Sequence, residues 1–221
     1  MILEALIAEL KATGLADKPG KLLYSGLRTL SPGETYLLGY NPGGDPEFEA
    51  NSILSHLCRD DAESNEYLDG RWRRRGRLCD AGAAPMQRRV CHMLKGLGWD
   101  ARSACASNVI FVRSEDIGSL NTPQELARRC WPVHRLILKQ VGPKCIIVLG
   151  DDAFKFIRDQ GRAITEVNTY PAGHGDWKCR HTRILLDERQ LEIISVPHLS
   201  YYAIDRHADV YAWIRGKLTG S

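Results

Sequence analysis

The chain has 221 residues, of which 43% are hydrophobic and 26% charged, and its formal net charge is +3. These values are typical of one globular domain and exclude disordered, collagen-like and low-complexity proteins. No run of about 18 apolar residues occurs, so the sequence predicts no membrane span. Residues 1–10 carry apolar side chains at helical spacing without the basic start of a signal peptide, and they predict an amphipathic helix.

Four apolar runs predict the strands of a sheet, at residues 35–40, 108–113, 145–150 and 191–197. Helical patterns lie around them, at residues 1–10, 85–97, 123–141, 151–160 and 205–218, with Thr122 as the N-cap of the long third helix. Strands that are apolar throughout and alternate with helices are typical of parallel sheets covered on both faces. We therefore expect a single domain over residues 1–221, a three-layer α/β/α sandwich with a four-stranded, mostly parallel central sheet.

Residues 45–84 interrupt this pattern, because they are polar and poorly periodic, and we interpret them as an insertion with some short helix. An arginine-rich stretch begins inside it and is opposed by a single acid, Asp80. Its basic residues are Arg71, Arg73, Arg74, Arg75, Arg77, Arg88 and Arg89. Such a patch could neutralise DNA phosphates, and it could equally be a solvated loop face.

The seven cysteines form no Cys-x-x-Cys pair, and we expect reduced, buried thiols in a cytoplasmic protein. His174, Cys179 and His181 share one loop and could ligate zinc. A fourth ligand is not evident near them in the sequence, so we expect neither a metal nor another cofactor.

Polar residues cluster at the predicted strand ends. Asn41 follows the first strand, Asn108 begins the second, and residues 197–202 follow the last. Ligands of open α/β sheets bind beyond the carboxyl ends of the strands, so these positions predict a ligand site.

Four segments match motifs of the uracil-DNA glycosylase superfamily in their order along the chain, and together they resemble that superfamily. Residues 39–43, Gly-Tyr-Asn-Pro-Gly, are similar to the GxNPG first motif of its mismatch-specific and single-strand-selective branches. Residues 198–202, His-Leu-Ser-Tyr-Tyr, are similar to the second motif, HPS followed by a wedge residue, with Leu199 replacing the proline. Residues 107–110 resemble the strand whose asparagine reads the base edge, and residues 145–156 resemble the strand and helix start between them.

One departure concerns the substrate. Members of the superfamily usually carry an aromatic residue about a dozen positions after the first motif, which stacks on the extruded base. Here that neighbourhood holds Ile53 and Leu54, and the nearest aromatic residue is Phe48. The cysteine pattern of the iron–sulfur branches is absent.

The resemblance implies a role for each motif residue. Asn41 would orient the attacking water, and His198 would donate a hydrogen bond to the base carbonyl as negative charge develops there. Asn108 would read the edge of a pyrimidine through its amide. Phe48, Tyr40 and Gly43 would complete the base pocket. Ser200 would bind the phosphate that flanks the flipped nucleotide, and Tyr202 lies at the position of the wedge residue that fills the vacated stack. The other residues proposed to contact DNA are Gly44, Tyr201, Arg73, Arg74 and Arg75.

Structural roles remain open for the same residues. Asn41 could merely start an Asn-Pro-Gly turn. A lone histidine such as His198 is more often structural, and Tyr201 and Tyr202 could simply pack against the last helix.

The sequence thus predicts a cytoplasmic, monomeric, monofunctional DNA glycosylase, associated with the nucleoid when on DNA, that flips out and hydrolytically excises a pyrimidine. Uracil or a mismatched pyrimidine, as in DNA repair, is the first substrate hypothesis. The second is a bulky modified cytosine of phage DNA, removed in antiviral defence. A catalytically silent DNA-binding member of the fold is the alternative of another class.

Overall fold

The computed structural model describes residues 2–44, 51–59, 62–74, 76–204 and 208–219, apart from the side chains of Arg74 and Ala208. Within these ranges the chain forms six α-helices and eight strands. The helices are α1 (Ile2–Ala12), α2 (Ile53–Arg59), α3 (Pro85–Gly96), α4 (Pro123–Val141), α5 (Asp151–Arg158) and α6 (Ala208–Thr219). The strands are β1 (Thr35–Gly39), β2 (Arg73–Arg74), β3 (Arg77–Leu78), β4 (Cys105–Asn108), β5 (Cys145–Leu149), β6 (Asn168–Pro171), β7 (Lys178–Leu186) and β8 (Arg189–Val196).

The fold is α/β, with a mixed sheet of six strands in the order β4-β1-β5-β8-β7-β6. The four strands predicted from apolar runs are adjacent and parallel to one another. The prediction of a four-stranded sheet is wrong, because β7 pairs antiparallel with β8 and β6 pairs antiparallel with β7. β2 and β3 form a separate two-stranded hairpin inside the predicted insertion.

The missed hairpin between β7 and β8 turns through Asp187 and Glu188, which both have positive φ angles of 46° and 61°. Two such residues between paired strands form the tight turn that matches strand twist, and Asn-Gly is its usual sequence. Asp-Glu gives no such signal. The exposed polar side chains that alternate along β7 also hide it from a search for apolar runs.

Helices cover both faces of the sheet, because alternate strand residues point to opposite sides. On one face, strand residues such as Tyr36, Leu38 and Ile146 pack against α1, α4 and α5. On the other face, residues such as Leu37 and Ile147 pack against α3 and α6. Among the described residues, no helix combines the length and apolar character needed to cross a membrane.

Two predicted local features need correction. β4 ends at Asn108, whereas the sequence predicted that this residue begins the strand; the small residues from Cys105 onward pair with β1 instead. The apolar side chains from Val109 to Phe111 are buried beyond the strand's end. Thr122 does precede α4, but in a left-handed conformation without a side-chain capping bond.

A buried neutral histidine joins β1 to α4 and makes stability depend on pH. His134 Nδ1 lies 2.8 Å from Tyr36 Oη, and Nε2 lies 3.1 Å from the Val109 carbonyl oxygen. Burial lowers the pKa of His134 to about 4. The unfolded chain binds a proton on this histidine near pH 6.5. The contribution of the neutral His134 ring to the free energy of unfolding is therefore complete above that pH and is lost as the pH falls towards 4.

We expect the free energy of unfolding to fall by about 2 kcal/mol between about pH 7.5 and pH 5 through His134. His134→Gln, which keeps a donor and an acceptor but does not titrate, should show a correspondingly smaller decrease. Urea unfolding of both proteins at the two pH values measures this. Equal losses in the two proteins would contradict the assignment to His134.

Candidate active site

Four residues lie at one edge of the sheet because the strands that precede them are adjacent and parallel. Asn108 ends β4, Asn41 lies just beyond β1, Gly150 directly follows β5, and His198 lies just beyond β8. The row crosses three inter-strand spacings, about 14 Å in all. The structure therefore brings the three predicted site residues, Asn41, Asn108 and His198, to the same carboxyl edge.

Asn41 is half-buried and its amide is held in one orientation. Its Nδ2 donates to the Pro42 carbonyl oxygen at 2.9 Å and to Ser114 Oγ at 2.9 Å. Ser114 Oγ in turn donates to the Asp116 carbonyl oxygen at 2.6 Å. With both amide hydrogens engaged, Oδ1 is the acceptor that remains, and it receives no hydrogen bond from the described residues. This geometry suits an oxygen that holds a water molecule.

The loop after β1 is fixed by the segment after β4. The Ser114 amide donates to the Pro42 carbonyl oxygen at 3.1 Å, and the buried Arg113 guanidinium donates through NH1 to the Gly43 carbonyl oxygen. Gly43 and Gly44 are exposed, and Gly44 has a φ of 108°, which only glycine adopts readily. The backbone here is therefore rigid and open to a ligand.

Asn108 is only 4% exposed, and its Nδ2 is buried without a hydrogen-bond partner among the described residues. A buried amide left unpaired costs about 1–3 kcal/mol, so this donor is expected to meet a ligand. Gly39, its register partner on β1, makes room for the side chain, since a Cβ at Gly39 would overlap Asn108 Oδ1.

Gly39→Ala should therefore displace the Asn108 amide while leaving the fold intact. Since a shift of about 1 Å in a positioning group can lower a rate about 10²-fold, we expect a loss of that order in the proposed base release. Gly33→Ala is the matched control, because its Cβ would make only ordinary van der Waals contacts, with Val141 Cγ1 at 3.5 Å and the Ser31 carbonyl oxygen at 3.7 Å. If Gly39→Ala released the base at the wild-type rate, base release would not depend on the position of the Asn108 amide.

His198 is half-buried, and burial lowers its pKa, so the ring is neutral at neutral pH. Its Nδ1 accepts from the Ser200 amide at 3.4 Å and lies 2.7 Å from Ser200 Oγ. A neutral ring that accepts at Nδ1 carries its proton on Nε2. Nε2–H makes no hydrogen bond to the described residues, so it is available as a neutral donor to a ligand.

Two neighbours set the place of His198. Gly150 lies against it, and a Cβ there would approach His198 Cβ to 3.6 Å. Arg89, on α3, donates through NH1 to the carbonyl oxygens of Leu199 at 2.7 Å and Ser200 at 3.0 Å. Leu199, which replaces the motif's proline, is fully buried in the core beside α3 and α6. The loop is thus anchored on both sides of Ser200.

The two tyrosines after Ser200 differ sharply in exposure. Tyr202, the predicted wedge residue, is only 7% exposed. Its hydroxyl donates to the Ala172 carbonyl oxygen at 2.6 Å, and the centres of its ring and the His174 ring are 4.6 Å apart. Tyr201 is 81% exposed and is the residue with the accessibility that a wedge requires. The Ser200 hydroxyl, which the sequence predicts to bind a phosphate, contacts His198 Nδ1 instead.

The remaining predicted residues lie apart from this row or outside the described residues. Tyr40 is half-buried and packs on the face covered by α1, α4 and α5, opposite to the face of Asn108. Arg73 is exposed in β2. Phe48, Arg75 and the side chain of Arg74 lie outside the described residues.

Sequence reasoning missed the residues that hold the site together, namely Ser114, Arg113, Arg89 and Gly150. Arg113 is the last residue of the predicted strand 108–113 and Ser114 follows it, so their place at a predicted strand end was a usable signal. Nothing in the sequence indicates that Arg89 reaches the loop after β8, since that contact depends on the packing of α3.

His174, Cys179 and His181 do not share one loop as predicted, because Cys179 and His181 lie in β7. Metal ligation gains no support there. Burial raises the pKa of the Cys179 thiol to about 12, and His181 Nε2 lies 2.6 Å from Glu192 Oε2. Over the described ranges, no group of three or more His, Cys, Asp or Glu side chains is placed to hold a metal ion.

Comparison with models of known protein families finds no match to this chain, and comparison with curated proteins finds no similar sequence. The fold and the site therefore carry the functional argument. They define an α/β protein with oriented amide and imidazole groups along the carboxyl edge of its parallel strands.

Proposed function

We propose that the protein is a monofunctional DNA glycosylase that flips a pyrimidine nucleotide out of DNA and hydrolyses its N-glycosidic bond. The observation that carries this proposal is the buried Asn108 amide: its Oδ1 occupies the space left by Gly39, and its Nδ2 has no hydrogen-bond partner among the described residues. An amide supplies donor and acceptor together, which is the pattern needed to read the edge of a pyrimidine.

The chemistry needs two further groups, and both are available on the same edge. As the glycosidic bond breaks, electrons move onto the leaving base, and a neutral donor placed at its carbonyl oxygen stabilises that charge. His198 Nε2–H is such a donor. A water molecule held by Asn41 Oδ1 then attacks C1′ of the oxocarbenium-like sugar, and the proton it loses goes to the departing base or to solvent.

The absence of an amine nucleophile at the strand ends supports hydrolysis over a lyase reaction. A bifunctional lyase forms an imine between a lysine and the sugar. Of the described positions at the four strand ends, none is a lysine. The product would be an intact strand with an abasic site.

We also propose a specific fold for the protein. Helices on both faces of four parallel strands, with the site at their carboxyl edge, are consistent with a three-layer α/β/α fold of the uracil-DNA glycosylase kind. DNA is the partner we propose, and Tyr201 is the residue we propose to fill the gap left in the base stack.

A second substrate, a cytosine with a bulky hydroxylated substituent, is favoured by a polar cluster next to the segment after β4, where the Lys21 amide donates to the Phe111 carbonyl oxygen at 2.9 Å. Lys21 Nζ and Trp72 Nε1 each lie 2.9 Å from a Glu66 carboxylate oxygen. Burial and the charges of Lys21 and Arg113 lower the pKa of His56 to about 4, so the His56 ring is neutral at neutral pH. Ile53, where a stacking aromatic is usual, is buried in the core.

The test is to incubate the protein with a panel of DNAs and identify any released base by mass spectrometry. The panel holds uracil, G·U and G·T mismatches, hypoxanthine, and phage DNA with modified cytosines. Release from uracil or mismatched DNA supports the first substrate, and release from phage DNA alone supports the second. No release from any DNA would overturn the enzymatic proposal and leave a silent DNA-binding protein.

A further inference from the structure

A cleft of about 450 Å³ opens beside Asn41, at the outer side of β4. We name it the Ser114 cleft. Its walls come from the linker after α1, the segment after β4 and the start of α4. The polar residues that line it include Lys18, Arg113, Ser114, Glu115, Asn121 and Arg129. Ser114 joins the cleft to the proposed active site, since its hydroxyl accepts the hydrogen bond from Asn41 Nδ2.

Lys18 and Arg129 line the Ser114 cleft against a single lining acid, Glu115. Arg129 is fixed on the Thr13 carbonyl oxygen by Nε at 3.0 Å and NH2 at 2.7 Å. Among the described residues, neither Lys18 nor Arg129 forms an ion pair. The first turn of α4, whose dipole is positive at this end, also borders the cleft. The cleft therefore attracts anions.

The cavity at the opposite edge of the sheet provides a comparison. It measures about 310 Å³ and is lined in part by Arg28 and Arg102. Arg28 pairs with Glu63 at 2.9 Å, and Arg102 pairs with Asp69 at 2.6 Å. Positive charge is compensated there, whereas Lys18 and Arg129 at the Ser114 cleft form no ion pair with the residues that the structure describes.

We infer that the Ser114 cleft binds backbone phosphates of the DNA strand next to the flipped nucleotide. The inference rests on the proposed function, because it places the strand on the β4 side of Asn41. Phosphate contacts fix the register of a protein on DNA without reading sequence. The Ser114 cleft would thus position the sugar in front of Asn41.

The test measures binding of a fluorescein-labelled DNA duplex by anisotropy across a range of salt concentrations. Lys18→Gln should weaken binding several-fold at low salt and reduce the salt slope by about 0.9, as expected for the loss of one phosphate contact. Glu115→Gln should strengthen binding, because it removes the acid that opposes the phosphates. Lys144→Gln, an exposed cation at the opposite edge, is the matched control and should change neither quantity.

Base release by the same variants separates this inference from the proposed function. If the DNA panel gives release but Lys18→Gln and Glu115→Gln match the wild type in affinity and salt slope, the phosphate site is wrong and the enzyme stands. If no base is released but the two variants shift binding in opposite directions, the Ser114 cleft stands as a DNA site. A protein that does not bind DNA would overturn both.

Discussion

Asn41→Ala is expected to lose base release by about 10³-fold while DNA binding persists. The substitution removes Oδ1, the acceptor proposed to hold the attacking water. In this variant the flipped base keeps its proposed contacts with Asn108 and His198. Single-turnover release from the DNA identified by the panel measures the loss, and thermal unfolding checks that the variant is folded.

Ser114→Ala tests the same geometry from the other side of the hydrogen bond. It leaves Asn41 Oδ1 in place but removes the hydroxyl that holds Nδ2 at 2.9 Å. We therefore expect a smaller loss than in Asn41→Ala, about tenfold, because the amide can rotate but is still present. A loss in Ser114→Ala as large as that in Asn41→Ala would instead assign the catalytic role to the serine.

His198→Ala is expected to lower the rate of release by 10²–10³-fold, about the effect of removing one donor from a developing anion. His198→Gln keeps an N–H donor and should lose less. Equal losses in the two variants would show that the imidazole acts by packing alone.

The pH profile of the wild type tests the protonation state of the same residue. Because burial lowers the pKa of His198, the neutral ring persists below the ordinary histidine value of about 6.5. Protonation would place a hydrogen on Nδ1, where it would oppose the Ser200 amide. Release should therefore stay constant from neutral pH to below about 6.5 and fall at more acidic pH. A decline centred at or above 6.5 would contradict the neutral donor.

The sequence predicts β1, β5 and β8 of the parallel strands for a clear physical reason, whereas the strand predicted at 108–113 lies at Cys105–Asn108. β1 and β5 are covered on both faces, so they are apolar throughout and stand out from their surroundings. β6 and β7 are antiparallel and partly exposed, and their alternation of polar and apolar residues resembles that of loops. Their omission changed the predicted strand number but not the edge on which the site lies.

The site is predictable in its residues and much less so in its side-chain geometry. The strand-end motifs are sufficient to place Asn41 and His198, because chain order fixes which residues follow parallel strands. The burial of Tyr202 and the exposure of Tyr201 depend on how the loop after β8 packs against residues 172–177, which are distant in sequence. No local pattern encodes that contact, so the choice between adjacent tyrosines required the structure.

The central claim is that this edge of the sheet hydrolyses an N-glycosidic bond with a water held by Asn41. The most direct measurement is a single-turnover reaction analysed by mass spectrometry of the released base and of the DNA strand, with borohydride added in a parallel reaction to trap any imine. Wild type should give a free base and an intact strand with an abasic site, and Asn41→Ala should give almost no free base. A strand cut at the abasic site, a protein–DNA adduct trapped by borohydride, or equal base release by Asn41→Ala would contradict this claim.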